Sequence, residues 1–236
     1  MEATQPVPSQ PEQRKVIVVA IPGQHIHQRT VMSLFGATSF LTQHGFDVVL
    51  SSGYDPNIYF ARGKCLGGMV NPMQGIDQPL FGGKLAYDYI MWIDSDIVFN
   101  GEQILRLISW NYPIVSGAYI LQPDNYAIVE KMDDTEFHAL GHYKYVSNER
   151  RKQFLMQNPG KLMPVAYTGM GFMLVGKGVF ESIGYPWFVP SVKEMPGGSK
   201  EVGSEDVSFC QAIQKQGYVV WVDLEVLVGH VKTVIF

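Results

Sequence analysis

Two short acidic motifs carry most of the chemistry open to this sequence. Asp94-Ser95-Asp96 ends the apolar run Tyr89-Ile90-Met91-Trp92-Ile93, and Glu205-Asp206 opens a helical pattern carried by Val207, Cys210, Ile213 and Gly217. A D-x-D triplet is common by chance, so its position decides its weight. In open α/β sheets ligands bind beyond the carboxyl ends of the strands, and Asp94 and Asp96 fall at such an end. Two like charges there repel unless a cation or donors offset them; Mg²⁺ or Mn²⁺ bridging a diphosphate would do so with a few carboxylate oxygens. The same residues would also serve as a helix cap and a solvated turn. Acidic residues in a first helical turn likewise gain about 0.3–1 kcal/mol each from the helix dipole. Successive helix residues point about 100° apart, so at most one of Glu205 and Asp206 faces a reaction centre squarely.

Lesser candidates follow. His230 comes after Val226-Leu227-Val228-Gly229, with Lys232 two residues on, on the same face if the strand continues and able to meet a phosphate. Arg62 offers a planar donor fork suited to phosphate. Gly169 and Gly171 would let backbone N–H groups approach a ligand, or serve turn geometry alone. His25 and His27 read as solvated loop residues. His138 and His142, spaced i and i+4, lack the glutamate of H-E-x-x-H and read as surface residues. Tyr185, Trp187, Phe188 and Met195 border a Pro/Gly-rich segment; their faces suit sugar rings and core burial equally.

The elements that must position these residues are legible from periodicity. Val16 to Ile21 is a buried-type strand broken by Pro22-Gly23, and Val31, Leu34, Phe35, Thr38 and Leu41 predict a helix closed by Gly45. Phe46 to Leu50 follows as a strand, so a βαβ opening and a parallel sheet are expected. Further helices are expected over 59–70, 103–110, 148–157, 178–183 and 205–216. Strands are expected over 89–93, 171–175, 218–222 and 226–231. A hairpin of 114–121 and 126–132 is expected to turn on Gln122-Pro123-Asp124-Asn125. Residues 186–203 read as a mobile loop, with Gly197-Gly198-Ser199 as hinge residues.

Composition narrows the class. The chain has 236 residues, 46% hydrophobic and 17% charged, with a net charge of −4, which is globular and lacks the basic stripe of a nucleic-acid binder. No apolar run reaches membrane-span length. Met1 to Gln13 has no apolar h-region, and Cys65 and Cys210 read as free thiols, so a cytoplasmic globule is expected.

Taken in order, Val18 to Gly23, Trp92 to Asp96, Thr168 to Phe172, Gly203 to Cys210 and Gly229-His230 resemble the GT-A glycosyltransferases that use nucleotide-sugar donors. The likeness runs from about residue 16 to 232 and is to compact, family-2-like members of bacteria and large DNA viruses. It implies an α/β, Rossmann-like GT-A domain over 15–236 with a mostly parallel sheet flanked by helices, preceded by a flexible tail over 1–14. It implies Mn²⁺ or Mg²⁺ held by Asp94, Asp96 and His230, and a nucleoside diphosphate sugar, UDP first, contacted by Pro22, Gly23, Arg62, Asp94, Ser95 and Lys232. Asp206 is the implied base on a glycan acceptor hydroxyl, with Glu205 holding an acceptor hydroxyl or a backbone group. Relatives often carry Ala-Arg-Asn where this chain has Ala61-Arg62-Gly63, so only the arginine carries over.

Other readings remain. Asp94-Ser95-Asp96-Ile97-Val98 also fits the nucleophile strand of haloacid-dehalogenase-type phosphatases, with Ser116 as a second motif. A non-catalytic carbohydrate-binding module would explain the aromatics but not the two acidic motifs. A nucleotidyltransferase would need a Gly- and Arg-rich loop after the first strand, and a Rossmann dehydrogenase a G-x-G-x-x-G there; neither is present.

Overall fold

The computed structural model describes residues 14–68, 78–195 and 197–232. The tail expected over 1–14 falls outside them except for Arg14, which belongs to the fold. Its Nε donates to Asp47 Oδ1 (2.8 Å) and its Nη2 to the Thr42 and Phe46 carbonyls. The chain then forms the expected unit of β1 (Lys15–Pro22), α1 (Gln28–Gln43) and β2 (Phe46–Gly53), with the two strands parallel. Gly45, at φ +86°, turns the chain between α1 and β2 in a conformation that side-chain-bearing residues resist. The inner face of α1 is Thr30, Ala37 and Leu41; Phe35, expected inward, is 71% exposed.

α2 (Ile58–Cys65) is shorter than the helix expected over 59–70, because Gly67 leaves helical geometry at φ +79°; Val70 lies outside the described residues. β3 (Tyr89–Ile93) and β4 (Ile97–Val98) flank the Asp-Ser-Asp turn, and α3 (Gly101–Ser109) starts from a reciprocal Asn100–Gln103 capping box. The expected hairpin after it is split. β5 (Ile114–Ala118) is buried along its whole length and joins the central sheet, because a strand apolar on both faces needs cover on both. Only β6 (Ile120–Gln122) and β7 (Asn125–Tyr126) close over the predicted turn, and β8 (Ile128–Val129) pairs elsewhere.

α4 (Asp134–Leu140), α5 (Asn148–Gln157), β9 (Met163–Val165), β10 (Tyr167–Thr168), β11 (Phe172–Gly176) and α6 (Val179–Ile183) follow. The segment expected as a loop is the hairpin β12 (Val192–Glu194) and β13 (Lys200–Val202), with Lys193 opposite Glu201 and Glu194 opposite Lys200. Gly197 and Gly198, at φ +88° and +81°, supply its turn rather than a hinge. α7 (Glu205–Lys215), β14 (Val220–Leu227) and β15 (Gly229–His230) complete the chain; β14 merges parts of the two short strands expected there.

The central sheet has the order β2-β1-β3-β11-β5-β14-β9. β2, β1, β3, β5 and β14 run one way, and β11 and β9 run the other. Alternation divides the core. Val18, Ala20, Ile90 and Trp92 face one layer, shared with Phe180 of α6 and Phe209 and Ile213 of α7. Ile17, Val19, Met91 and Ile93 face the other, shared with Ala37 and Leu41 of α1 and Ile104 and Leu107 of α3. β1 and β3 are neighbours, but their connections leave toward opposite edges, so the crevice beyond their carboxyl ends is the switch point where α/β sheets bind ligands.

Candidate active site

The Asp-Ser-Asp turn stands at that crevice, and each of its residues ties a different segment through the backbone. Asp94 N donates to Gly171 O (3.0 Å), Ser95 O accepts from His27 N (2.8 Å) and Asp96 O accepts from Val231 N (2.9 Å). Gly23 lies against Ser95: a Cβ there would come within 3.5 Å of Ser95 Oγ. Pro22, Gly23 and Ser95, at and just beyond the ends of β1 and β3, are therefore one wall.

The turn separates the two aspartates, which as residues i and i+2 would share one face if the strand simply continued. Asp94 continues the face of Ile90 and Trp92, toward α2 and α7, where Arg62 Nη2 donates to Asp94 Oδ1 (3.1 Å) and to Glu205 Oε1 (3.0 Å). Arg62 Nε also donates to Glu205 Oε1 (3.1 Å), and the guanidinium lies 5.4 Å from the Trp92 ring. Arg62 is 2% exposed, and among the described residues its Nη1 has no partner. Burial alone would discharge it; the carboxylates of Asp94, Glu205 and Asp206 outweigh that and hold it charged.

Asp206, on the next residue of α7, has a different setting. Its Oδ1 accepts from Ser204 Oγ and from Val207 N (2.8 Å), and nothing among the described residues donates to Oδ2. Burial, then the neighbouring Glu205, raises its carboxyl above the ordinary aspartate range, against these two hydrogen bonds and Arg62. One α7 carboxylate is thus committed to Arg62, and the other keeps a free oxygen with enhanced basicity.

Asp96 turns the other way, to β15. Its Oδ2 lies 3.2 Å from His230 Nε2, while His230 Nδ1 is 2.8 Å from the Ile120 carbonyl. A carbonyl only accepts, so Nδ1 carries a proton, and on a neutral ring Nε2 presents a lone pair toward a carboxylate. A proton or a cation between them relieves that contact. In this structure hydrogen bonding to Asp96 raises the imidazole against the cost of burial. The Asp96 carboxyl is held low: burial opposes this, but the bond to His230 and the charges of His230 and Lys232 prevail. Lys232 is thus part of this half of the site.

The pair fits a divalent ion: two ligand atoms each about 2.1 Å from a metal and at right angles lie about 3 Å apart. The set expected from sequence is Asp94, Asp96 and His230. The structure joins the last two and holds Asp94 on Arg62. Among the described residues no group of three His, Cys, Asp or Glu forms a metal cluster. An ion at the pair would complete its shell with phosphate and water oxygens, as Mg²⁺ and Mn²⁺ commonly do.

Tyr119, between β5 and β6, was not singled out by the sequence. Its ring meets His230 edge-on with centroids 5.2 Å apart, and its Oη accepts from Gly171 N (3.3 Å). A Cβ on Gly169 would lie 1.9 Å from that Oη, and one on Gly171 would lie 2.9 Å from Asp94 Oδ2. The two glycines thus admit Tyr119 and Asp94. The spacing Gly169-x-Gly171 was the signal, but nothing in a linear sequence says which side chain fills the room.

The remaining candidates have other roles. His27 caps α1 by accepting from Arg29 N (3.1 Å), and His25 is exposed. His138 and His142 do not share a helix face, since α4 ends at Gly141; both are exposed, as expected. Trp187, Phe188 and Met195 are buried in the core. Ser116 is inside the sheet, its Oγ 2.9 Å from the Gly117 and Phe172 carbonyls, and is not placed to act on a phosphoryl group. Burial pushes the thiols of Cys65 and Cys210 up to about 11 and about 12, which leaves both inert as nucleophiles. No helix among the described residues is long and apolar enough to cross a membrane.

No protein-family model matches the chain, and no curated protein matches it. Solved structures do. GalNAc-T7, in a crystal structure with UDP, GalNAc and Mn²⁺, is 11% identical, with a TM-score of 0.52 over 95% of this chain. The chain spans 45% of that protein's length. The crystal structure of A197 from STIV is 16% identical, with a TM-score of 0.50 over 93% of this chain and 86% of that one. At these identities the likeness is one of fold, and the fold is that of a GT-A-like glycosyltransferase.

Proposed function

We propose that the protein is a metal-dependent glycosyltransferase that moves a sugar from a nucleoside diphosphate sugar to a glycan hydroxyl. The observation that carries this is the junction at the β1–β3 switch point. There a D-x-D turn and the acidic start of α7, 109 to 112 residues apart in the chain by numbering, share one buried arginine. The fold and the ligands named for GalNAc-T7 support the class and make UDP and Mn²⁺ the first choices.

Each half of the turn has its task in this reading. Pro22, Gly23 and Ser95 line the crevice where the nucleoside lies, and Asp94, oriented by Arg62, meets the ribose or the ion's water shell. Arg62 Nη1 is the donor left for the diphosphate. Asp96 and His230 would hold Mn²⁺ or Mg²⁺, and Lys232 adds positive charge for the phosphates. The ion supplies Lewis-acid compensation of the charge on the leaving diphosphate. Asp206 Oδ2 takes the acceptor hydroxyl's proton if configuration inverts, and Glu205 fixes the arginine. With retention, the carboxylates orient the acceptor instead. Two inert, buried thiols agree with a reducing, cytoplasmic compartment.

The test is a thermal-shift panel of UDP, GDP, ADP and CMP, each with and without Mn²⁺, on the wild type and on Asp96→Ala. A ligand at 100 times its Kd adds about 2.7 kcal/mol, or roughly 5–10 °C for a domain of this size. A Mn²⁺-dependent rise with one diphosphate, lost in Asp96→Ala, is expected. A nucleotide shift that ignores both Mn²⁺ and Asp96→Ala removes the metal assignment, and no shift at all removes the donor class.

A further inference from the structure

A large cavity lies apart from the two acidic motifs. It has a volume of about 880 Å³ and is walled by the β6–β7 hairpin, by α4 and by the segment that leads into α5. Small-molecule sites commonly run about 300–1,000 Å³, so it is large enough to hold a ligand. Residues 133–160, which make much of its wall, had no role from sequence.

We infer that this cavity is a cleft for a neutral oligosaccharide, the acceptor of the transfer; this rests on the glycosyltransferase reading above. Three tethers bind the cleft to the candidate active site. Gln122 lines it, two residues from Ile120, whose carbonyl fixes His230. Tyr145 lines it beside Tyr167, and Tyr167 is within electrostatic reach of Asp206. Asp134 and Tyr143, next to the wall, meet Lys193 of the β12–β13 hairpin, whose far end Tyr59 Oη holds through Gly203 O.

The lining selects the ligand class. Arg150 is committed to Glu130 by two hydrogen bonds (2.9 and 2.7 Å). Lys131 and Lys144 share the lining with Asp133, Glu136 and Glu149, a near balance with one acid in excess that gives an anionic chain no advantage over a neutral one. The wall sets charged and amide groups among apolar surface from Leu140, Tyr145 and Val146, the mixture that a sugar ring with polar edges and apolar faces can use. Hydroxyl groups both donate and accept, so a sugar satisfies carboxylates, amides and ammonium groups together. His142 and Tyr145, stacked with centroids 6.0 Å apart and 11° between planes, add a flat face for a pyranose ring.

The test reads binding directly, with no donor present. The full chain is passed over immobilised maltohexaose, cellohexaose, chitohexaose, mannohexaose and a β-1,4-galactan fragment. The double variant Glu136→Ala/Lys144→Ala and, from the opposite wall, Gln122→Ala are run beside it, with thermal midpoints recorded. Expected is binding to at least one glycan by the wild type, with Kd at least tenfold weaker in either variant at an unchanged midpoint. Binding to none of the five, or equal affinity in wild type and both variants, overturns the cleft. The nucleotide panel on the same preparation separates the two readings. A Mn²⁺-dependent nucleotide shift without glycan binding sinks the cleft alone, and glycan binding without any nucleotide shift sinks the transferase and, with it, the acceptor role.

Discussion

Replacing Arg62 with methionine tests the electrostatic frame of the site. The guanidinium is 2% exposed and bridges Glu205, whose side chain is 13% exposed, and Asp94, at 32%. Methionine keeps much of the length that lies over Trp92 but leaves Asp94, Glu205 and Asp206 as neighbouring carboxylates without their cation. Breaking a buried pair by removing one partner costs about 3–5 kcal/mol. Asp94 is partly solvated, so its share is screened, and the low end, about 3 kcal/mol, is the expected loss. At about 2–4 °C per kcal/mol for a chain of this size, the midpoint falls by roughly 6–12 °C at pH 7.

The pH dependence separates this electrostatic cause from a packing defect. In the variant, folding presses carboxylates together, so the folded state binds protons more readily than the unfolded state. Stability then falls as pH rises through the carboxylate range, and the deficit against wild type shrinks as pH falls toward 4.5. Differential scanning fluorimetry from pH 4.5 to 8 measures it. Arg62→Lys restores charge without the two-sided fork and should recover only part of the loss. A midpoint within 2 °C of wild type at pH 7, or a deficit that is the same at every pH, would falsify the account of Arg62 as the charge that holds the two acidic motifs together.

Three further outcomes are expected. Asp206→Asn keeps the acceptor atom for Ser204 and Val207 N but loses the base, so kcat should drop by about 100-fold or more. Because burial and Glu205 raise this carboxyl, ionisation opposes folding, and the Asn variant's midpoint should match wild type at acid pH and exceed it as pH rises through the raised pKa; a deficit that grows with pH would contradict the assignment. Gly169→Ala drives a methyl into Tyr119 Oη and should cost about 1–3 kcal/mol. Adding Tyr119→Phe should restore most of the midpoint, and a strictly additive double variant would show that the two residues do not meet. Asp223→Ala removes the buried acceptor of Arg106 Nε (2.7 Å), Trp110 Nε1 (2.8 Å) and Glu225 N (2.9 Å). It should lower the midpoint by several degrees without altering the Mn²⁺-dependent nucleotide shift, since that network lies outside the candidate site.

The parts of the fold legible in the sequence are those with one strong period. β1, α1, β2 and β3 follow from apolar runs and their punctuation by Pro22-Gly23, Gly45 and Asp94. Where a segment is apolar on both faces, pattern alone cannot name its partner: Ile114 to Ala118 reads as half of a local hairpin, yet it is drawn between β11 and β14. The site shows the same division. Asp94, Asp96, Glu205, Asp206 and His230 are visible because each stands at an element end. Tyr119 is invisible, because its importance comes from two glycines 50 and 52 residues away that make room for it.

The spacing of the D-x-D turn has a structural meaning beyond chelation. If both carboxylates were needed on one ion, they would converge; instead Asp94 meets Arg62 and Asp96 meets His230. One residue between them lets the chain leave β3 with Asp94 on the α2–α7 face and Asp96 beyond the strand, on the β15 side. Ser95 holds the middle, its carbonyl accepting from His27 N and its side chain against Gly23. In the proposed transferase the turn joins an acidic half-site, with Asp206 as base, to a half-site with His230 and Lys232 for the diphosphate and its ion. Lengthening the turn by one residue would shift Asp96 against β4 and its pairing with Gly229-His230. An insertion of glycine after Ser95 should therefore abolish transfer even though both aspartates remain, whereas Ser95→Ala, which keeps the register, should retain it.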